Sequence, residues 1–328
     1  MTTLRLCQDK NTWNDYILDN GGHPLQLWGW GDVKSAHGWQ ADRLFGYDDD
    51  DNIVGAAQLL IRRLPMPLKS LAYVPRGPVV SAEESDALLD ALSSYVKRVH
   101  KSVALTIEPD SELFSVPDGW RKSTNTILPA NTVILDLTKP ESELLAVMVK
   151  KTRQYIRKSA AEDIEIRQVR SKEELSRCLE IYHATARRAK FNLHDDEYYF
   201  DIFNKLDDHN IIYAAYQDDR PIAFLWLAIS SETAFELYGG VDEIGQQLRA
   251  NYALKWHAIL KTKEWGLSRY DFGGLIGEGV SNFKLGWTDK PTELAGTFDL
   301  PLSSLYSVWS KGLPTAKKLV RKLKPKRK

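Results

Sequence analysis

Cysteine is scarce: Cys7 and Cys178 are the only two in 328 residues, which excludes a disulfide framework and fits a reducing compartment. No apolar run reaches the ~18 residues of a membrane span, and the longest, around Ile222–Ile229, reads as a buried strand. Met1–Asp15 is polar and has no signal-peptide core, so a cytoplasmic protein is expected. The seven histidines show no zinc-ligand pairing, and there is no Walker-type phosphate loop, dinucleotide glycine fingerprint or Gly-x-Ser-x-Gly elbow. Neither a metal nor a cofactor is expected. Net charge is also absent, but unevenly so. Nine of the 44 basic residues and none of the 44 acidic ones fall in Lys311–Lys328. A basic tail on an acidic body suits an anionic partner, nucleic acid or membrane surface, or a merely solvated helical tail.

What is present is an ordinary globular composition, 43% apolar and 27% charged, at about twice the length of one domain. A weak internal repeat organises it. Phe45–Arg62 and Ile211–Ser230 each read strand, Asp/Asn turn, strand. A strand with tyrosine and glycine follows each, Leu71–Pro78 and Phe235–Gly240. Helices with apolar residues at 3.6 spacing come next, Glu83–His100 and Gln246–Trp265, then strands ending in an acid, Val103–Glu108 and Ser268–Asp271. Matching positions lie roughly 163–169 residues apart. Two copies of an α/β (α+β) unit are expected, each in the order of the acyltransferase fold with a central mixed sheet. Their expected extents are 1–143 and 144–300, with 301–328 as a basic amphipathic tail.

Three segments stand out chemically. Leu25–Trp39 sets three tryptophans around Lys34, a pattern for stacking on flat groups beside a phosphate or for a helix packed in a core. Tyr270-Asp-Phe-Gly-Gly is a strand closing on glycines, where backbone approaches something closely or simply turns. Phe283-Lys-Leu-Gly-Trp puts a lysine between aromatics, where partial desolvation magnifies its charge. The stretch Gln246–Tyr252 has no glycine, which weighs against a loop that cradles coenzyme A pyrophosphate.

Taken in order, Gln26…Trp30…Lys34…Gly38-Trp39, Tyr73-Val-Pro-Arg76-Gly-Pro-Val, Lys151-Thr-Arg153…Ile156-Arg157, Tyr238-Gly-Gly, Asn251-Tyr-Ala-Leu-Lys-Trp, Tyr270-Asp271-Phe-Gly273-Gly and Phe283-Lys284-Leu-Gly-Trp resemble the Fem family (FemABX) over about Leu25 to Phe298. Those proteins are aminoacyl-tRNA-dependent transferases that build peptide side branches on peptidoglycan precursors. The resemblance implies two tandem acetyltransferase-like (GNAT-like) subdomains and a cytoplasmic aminoacyltransferase, peripheral to the membrane where its precursor is lipid-linked. Its donor would be aminoacyl-tRNA and its acceptor the side-chain amine of the third stem-peptide residue of a lipid-linked or nucleotide-linked precursor. By resemblance Lys284 is the positive group near the developing oxyanion and Glu108 handles the amine proton. By the same resemblance Lys34, Trp30, Arg76, Tyr198, Tyr238, Asn251, Asp271, Gly273 and Phe283 would contact substrate. His194 stands where some members carry an arginine, which implies weaker pyrophosphate recognition or a different acceptor. Lys150, Lys151, Arg153 and Arg157, with Lys317, Lys318 and Arg321 of the tail, would follow tRNA phosphates or anionic lipid. No heptad pattern marks an inserted helical arm, so a short, monomeric form is expected. An acyl-CoA transferase of the same fold and a non-catalytic binding module are the alternatives.

Overall fold

The computed structural model describes residues 2–189 and 191–312. The chain makes two compact units. The first lobe comprises Met1–Asn20, Lys34–Ala130 and Leu294–Lys328, and the second Gly21–Val33 and Asn131–Glu293.

The sheet of the first lobe runs, in spatial order, Thr3–Leu6, Trp39–Tyr47, Ile53–Arg63, Ser70–Pro75, Ala104–Glu108, Phe298–Pro301 and Arg121–Lys122, with Val79–Val80 also paired to Ile53–Arg63. That of the second runs Glu165–Gln168, Asn210–Gln217, Arg220–Ile229, Thr233–Val241, Arg269–Asp271 and Ile134–Asp136. Each sheet is antiparallel apart from one pair. Ser70–Pro75 lies parallel to Ala104–Glu108, and Thr233–Val241 parallel to Arg269–Asp271. In both lobes, therefore, hairpin, strand, helix and parallel strand follow one another as the repeat predicts, and both lobes are acetyltransferase-like.

Local chemistry sets the hairpins. Gln217 opposes Arg220, which leaves Asp218 and Asp219 as a two-residue loop with both φ values positive, 48° and 58°. That is the type I′ geometry whose twist matches the flanking strands. In the first lobe the Asp48 carboxylate closes a longer turn by accepting from the N–H groups of Asp50 (3.0 Å) and Asn52 (2.8 Å). One helix packs on each sheet. Ser85–Tyr95 lays Leu88, Leu89 and Leu92 against Leu44, Leu59, Val74 and Leu105. Ala250–Glu264 lays Leu254, Ala258 and Ile259 against Ala215, Ile222, Leu225 and Tyr270. Each fully buried leucine contributes about 1.5–3 kcal/mol of transfer free energy.

Three expectations change. The lobes do not divide at residues 143 and 300. Ile134–Asp136 is an edge strand of the second sheet, while Phe298–Pro301 pairs with Ala104–Glu108 in the first. Nor does the tail begin at 301, because Tyr306 and Trp309 pack on Leu71, Val103 and Ala104 of the first lobe; Lys317, Lys318 and Arg321 lie outside the described residues. Finally, both long helices are modified. The first widens into a π turn over Val96–His100, ended by Lys101 at φ 50°. The second breaks between Glu243–Gln247 and Ala250–Glu264, where Arg249 takes φ 58°. Among the described residues no helix is long and apolar enough to cross a membrane.

Candidate active site

In the second lobe the parallel strand ends at Asp271, which is fully buried. Its Oδ1 accepts from the Thr132 hydroxyl (2.5 Å) and from the N–H of Gly273 (2.8 Å). This folds the chain back so sharply that Gly273 has φ 68°, and a Cβ there would stand 2.9 Å from the Glu236 carbonyl oxygen. Only glycine fits such a position without displacing backbone. The helix Glu278–Leu285 then returns Lys284 to the turn, where its Nζ donates to the carbonyls of Gly273 (3.1 Å) and Gly274 (3.0 Å). An ammonium has three N–H donors, so two aim the group and one remains. Desolvation pulls the Lys284 pKa below its ordinary value, opposed by the negative charges of Glu236 and Asp271. Phe283 packs edge-on against Tyr252, with ring centroids 5.1 Å apart.

Beside Lys284 lies a cluster that sequence reasoning passed over. Lys255 (5% exposed) forms an ion pair with Glu236, and Tyr270 donates to the same Glu236 oxygen at 2.9 Å. The Lys255 Nζ also sits over the Phe272 ring, 4.4 Å from its centroid, and the Phe283 ring at 5.3 Å. Burial pushes Lys255 down to about 8, with Lys284 adding repulsion. The signal was present in the sequence: a lysine interrupts the apolar stripe Leu254, Ala258, Ile259 of its helix.

His194, Tyr198 and Tyr238, predicted as substrate contacts, belong to one aromatic cluster. The His194 ring stacks on Tyr198 (4.0 Å, 23°), and its backbone N–H donates to the Tyr199 hydroxyl. Tyr199 meets Tyr238 edge-on at 5.1 Å, and Trp226 and Tyr182 complete the group. Burial raises Tyr198 and Tyr199 to about 12, so these phenols stay neutral donors. Asn251 is partly buried in the first turn of its helix. Trp30 corrects an expectation: it is only 7% exposed, so it fills space rather than offering a face for stacking. The adjacent Gly29 has the carbonyl of Lys205 where a side chain would be, which explains the small residue between two tryptophans.

The first lobe holds Lys34 in the last turn of the helix Trp28–Ala36. Burial and the charge of Arg62 push its pKa down to about 8. Arg62 donates to the carbonyls of His37 and Gly38 and lies over the Trp39 ring at 5.5 Å. A groove of about 720 Å³ in this lobe is lined by Trp39, Arg63, Lys69 and His100 among others. Glu108 contradicts its expected role. Its carboxylate, 1% exposed, accepts from the hydroxyls of Tyr73 (2.5 Å) and Thr297 (2.7 Å) and from the N–H groups of Ile127 (2.7 Å) and Leu128. A carboxylate with every lone pair engaged is a structural anchor, not a proton acceptor for a substrate amine. Arg76, buried at φ 48°, donates to the Pro129 carbonyl and lies just beyond the Pro75–Glu108 pairing.

The basic helix Lys150–Ser159 is amphipathic. Thr152, Ile156 and Ser159 face inward while Lys150, Lys151, Arg157 and Lys158 are exposed. Arg153 departs from the expected phosphate contact, since its guanidinium donates to the carbonyls of Leu145, Ala146 and Met148 that close the preceding helix. Arg249, not anticipated and only partly exposed, lies over the Tyr155 ring at 5.0 Å, with Lys151 at 5.5 Å from the same ring.

Residues 147–285 match the model of the acetyltransferase (GNAT) domain, and residues 10–116 that of the FemAB family. The amino-terminal part of the chain thus resembles the Fem family. The chain is similar to the lipid II:glycine glycyltransferase of Staphylococcus aureus strain USA300, at 26% identity over 261 residues that cover 74% of this chain and 58% of that protein. With the protein of the same name from strain MRSA252, identity is 29% over 205 residues, 57% of this chain and 48% of the relative. The chain thus spans only about half the length of the curated relatives it matches. In fold it is similar to FemX, with a TM-score of 0.83 at 20% identity over 94% of this chain and all of the other. A tandem GNAT protein from the clavulanic acid pathway gives a TM-score of 0.53 at 14% identity, over 92% of this chain and 98% of that one.

Proposed function

We propose that this chain transfers an amino acid from aminoacyl-tRNA to the side-chain amine of the third stem-peptide residue of a peptidoglycan precursor. The observation that carries the reading is Lys284, partly buried and held at two donors by the Gly273 and Gly274 carbonyls. The names of the relatives, glycyltransferases acting on lipid II, supply the substrate class.

An aminoacyl ester is already activated, so the protein has to align the amine with the ester carbonyl and stabilise charge. As the neutral amine attacks, the carbonyl oxygen becomes an oxyanion, and the third Lys284 donor is suited to receive it. Collapse of the tetrahedral intermediate expels the ribose hydroxylate, which takes a proton as it leaves. The amine loses one proton in forming the amide, and with Glu108 saturated by four protein donors, the leaving oxygen is the natural acceptor. Lys34, Arg62, Arg63 and Lys69 give the first lobe cations for the precursor's phosphates, while Lys150, Lys151, Arg157 and Arg249 give the second a basic-aromatic face for the tRNA backbone. Peripheral contact with an anionic membrane leaflet follows for a lipid-linked acceptor.

The test is a purified reaction with a set of aminoacyl-tRNAs and the precursor, read by product mass. Lys284→Met is expected to lower kcat at least 100-fold, in the range of losing one oxyanion donor, with unchanged melting temperature. RNase is expected to abolish transfer. Turnover that survives RNase and uses an acyl-CoA instead, or full activity of the Lys284 variant, overturns the reading.

A further inference from the structure

The end of the first lobe's sheet remote from Glu108 combines bare apolar side chains with uncompensated positive charge. Trp39–Tyr47, Ser70–Pro75 and Ala104–Glu108 begin there and Ile53–Arg63 ends there. Ile53–Arg63 passes into Ser70–Pro75 through Leu64-Pro-Met-Pro-Leu-Lys69, a turn in which the Leu64 N–H donates to the Lys69 carbonyl (2.8 Å) and the Leu68 N–H to the Pro65 carbonyl (3.0 Å). Leu64 and Leu68 pack on the cluster that holds Tyr306 and Trp309. Met66 stands between two prolines, which limit its backbone freedom, and is left 78% exposed. On the other side of the turn, Arg63 and Lys69 line the groove together with Val99, which is 49% exposed, and His100. The π turn at Val96–His100 sets these last two apart: Asp42 holds the His100 ring inward at 2.7 Å, and Val99 stays outside. Val308, also exposed, lies on the helix at 306–312 that carries Tyr306 and Trp309.

The stretches 61–70, 96–103 and 303–312 build this end and hold seven lysines and arginines and no acid. Arg63, Lys69, Lys97, Arg98, Lys101 and Lys311 are exposed and form no ion pair among the described residues. Asp42 is buried and takes bonds from Tyr95 and Gln40 besides His100, so it offers them no exposed counter-charge. The chain then runs on into Lys311–Lys328, with nine basic residues and no acidic one.

We propose that this end of the first lobe docks on an anionic phospholipid bilayer, with Met66 and Val99 entering the boundary between headgroups and acyl chains and the surrounding lysines and arginines meeting lipid phosphates. Both halves of the surface are used in that arrangement, since interfacial binding grows with buried apolar area and with attraction to anionic lipid together. A nucleic acid, the rival polyanion, fits less well. Its phosphates engage the cations but give Met66, Val99 and Val308 nothing to bury against. Of the rings at this end, Tyr306 and Trp309 are buried and Trp39 lies under Arg62, so none is open for bases to stack on. The inference deepens the peripheral contact proposed above and rests on that reading for its setting: Arg63 and Lys69 stand at headgroup depth, where the phosphates of a lipid-linked acceptor lie.

Sedimentation of the full chain with vesicles tests this without precursor or tRNA, so the outcome stands apart from the transfer reaction. Vesicles containing about one-third phosphatidylglycerol are expected to bind the protein about tenfold more tightly than pure phosphatidylcholine vesicles. Met66→Ser combined with Val99→Ser is expected to weaken that binding about fivefold, and Lys97→Gln combined with Arg98→Gln about tenfold, while Met66→Leu keeps it. All these side chains are exposed, so melting temperatures are expected to stay unchanged. Position is read separately with a solvatochromic dye on Met66→Cys or on Leu113→Cys, each in a Cys7→Ser background. Leu113 is 89% exposed and follows Glu108, where the strand leaves the other end of the sheet. Anionic vesicles are expected to shift the dye to the blue at position 66 and not at position 113. No binding, equal binding to both kinds of vesicle, binding indifferent to all four polar substitutions, or a shift at 113 as large as at 66 overturns the proposal. A loss of tRNA retention in the Met66 and Val99 variant as large as its loss of vesicle binding also overturns it, by marking the face as one for nucleic acid. Absence of transfer with every aminoacyl-tRNA leaves the vesicle result standing and rejects the functional reading alone.

Discussion

Glu108 and Asp271 stand at the same place in the two lobes, each at or near the end of the strand that runs parallel to its predecessor. Both are buried, and both are held by a threonine hydroxyl and by backbone N–H. Even the source of the threonine matches. Thr297 lies immediately before the strand Phe298–Pro301 that borders Glu108, and Thr132 lies two residues before Ile134–Asp136 that borders Asp271. What differs is the continuation. After Asp271 come two glycines and a helix that brings back Lys284; in the first lobe Tyr73 donates to Glu108 and Arg76 stands beyond the paired Pro75. An acid at the strand end is thus a shared anchor for a turn, and chemistry depends on what the turn presents.

The sharpest way to break this comparison is to neutralise each anchor. Glu108→Gln and Asp271→Asn each exchange a buried, multiply bonded carboxylate for an amide that accepts less well, at a cost of about 2–3 kcal/mol in folding stability, read by denaturant melts. Turnover should split them. Below its melting range Glu108→Gln keeps kcat within about threefold, because no charge is removed from Lys284, whereas Asp271→Asn loses at least tenfold as the Gly273 turn shifts. A large fall in kcat for Glu108→Gln with unchanged stability would restore the glutamate to proton transfer.

A second comparison sets Lys34 against Lys284. Burial and Arg62 lower Lys34 to about 8, so its ammonium is present below that pH and disappears above it. The KM for the precursor is therefore expected to rise about tenfold from pH 7 to pH 9 with little change in kcat. Lys34→Met should show the high KM at every pH. Since Lys284→Met is expected to act on kcat, a Lys34 variant that moved kcat instead would collapse the proposed division of labour between the lobes. The smallest effect concerns the threonines. Thr132→Val and Thr297→Val each take one donor from a buried carboxylate, expected to cost about 1 kcal/mol, and equal losses in the two lobes would sharpen the equivalence.

Much of this was readable from the residues. The Asp-rich turns between β-branched runs located both hairpins, since Asp and Asn tolerate the positive φ those loops need. The acid-ended strands and the Gly-Gly turn after Asp271 were readable too, because short-range patterns encode them. The lobe boundaries were not, because they depend on Phe298–Pro301 and Ile134–Asp136 finding partners far away in the chain. The break at Leu248–Arg249 carries no glycine or proline to announce it. Within the site, the resemblance led to Lys284 but also to Glu108 as a proton handler, and only coordinates reveal how completely its oxygens are engaged. Arg153 misled in the same way: a cation in a basic run looks free until the carbonyls it closes are visible. The Lys255–Glu236 pair escaped because each residue, taken alone, is an ordinary charge within an apolar pattern.

The pairing of Phe298–Pro301 with Ala104–Glu108 has a consequence for synthesis on the ribosome. Nearly two hundred residues separate the partners, so the first sheet must wait with one flank open until Phe298–Pro301 has emerged, by which point every strand of the other sheet is already out. The half made first is thereby the half completed last.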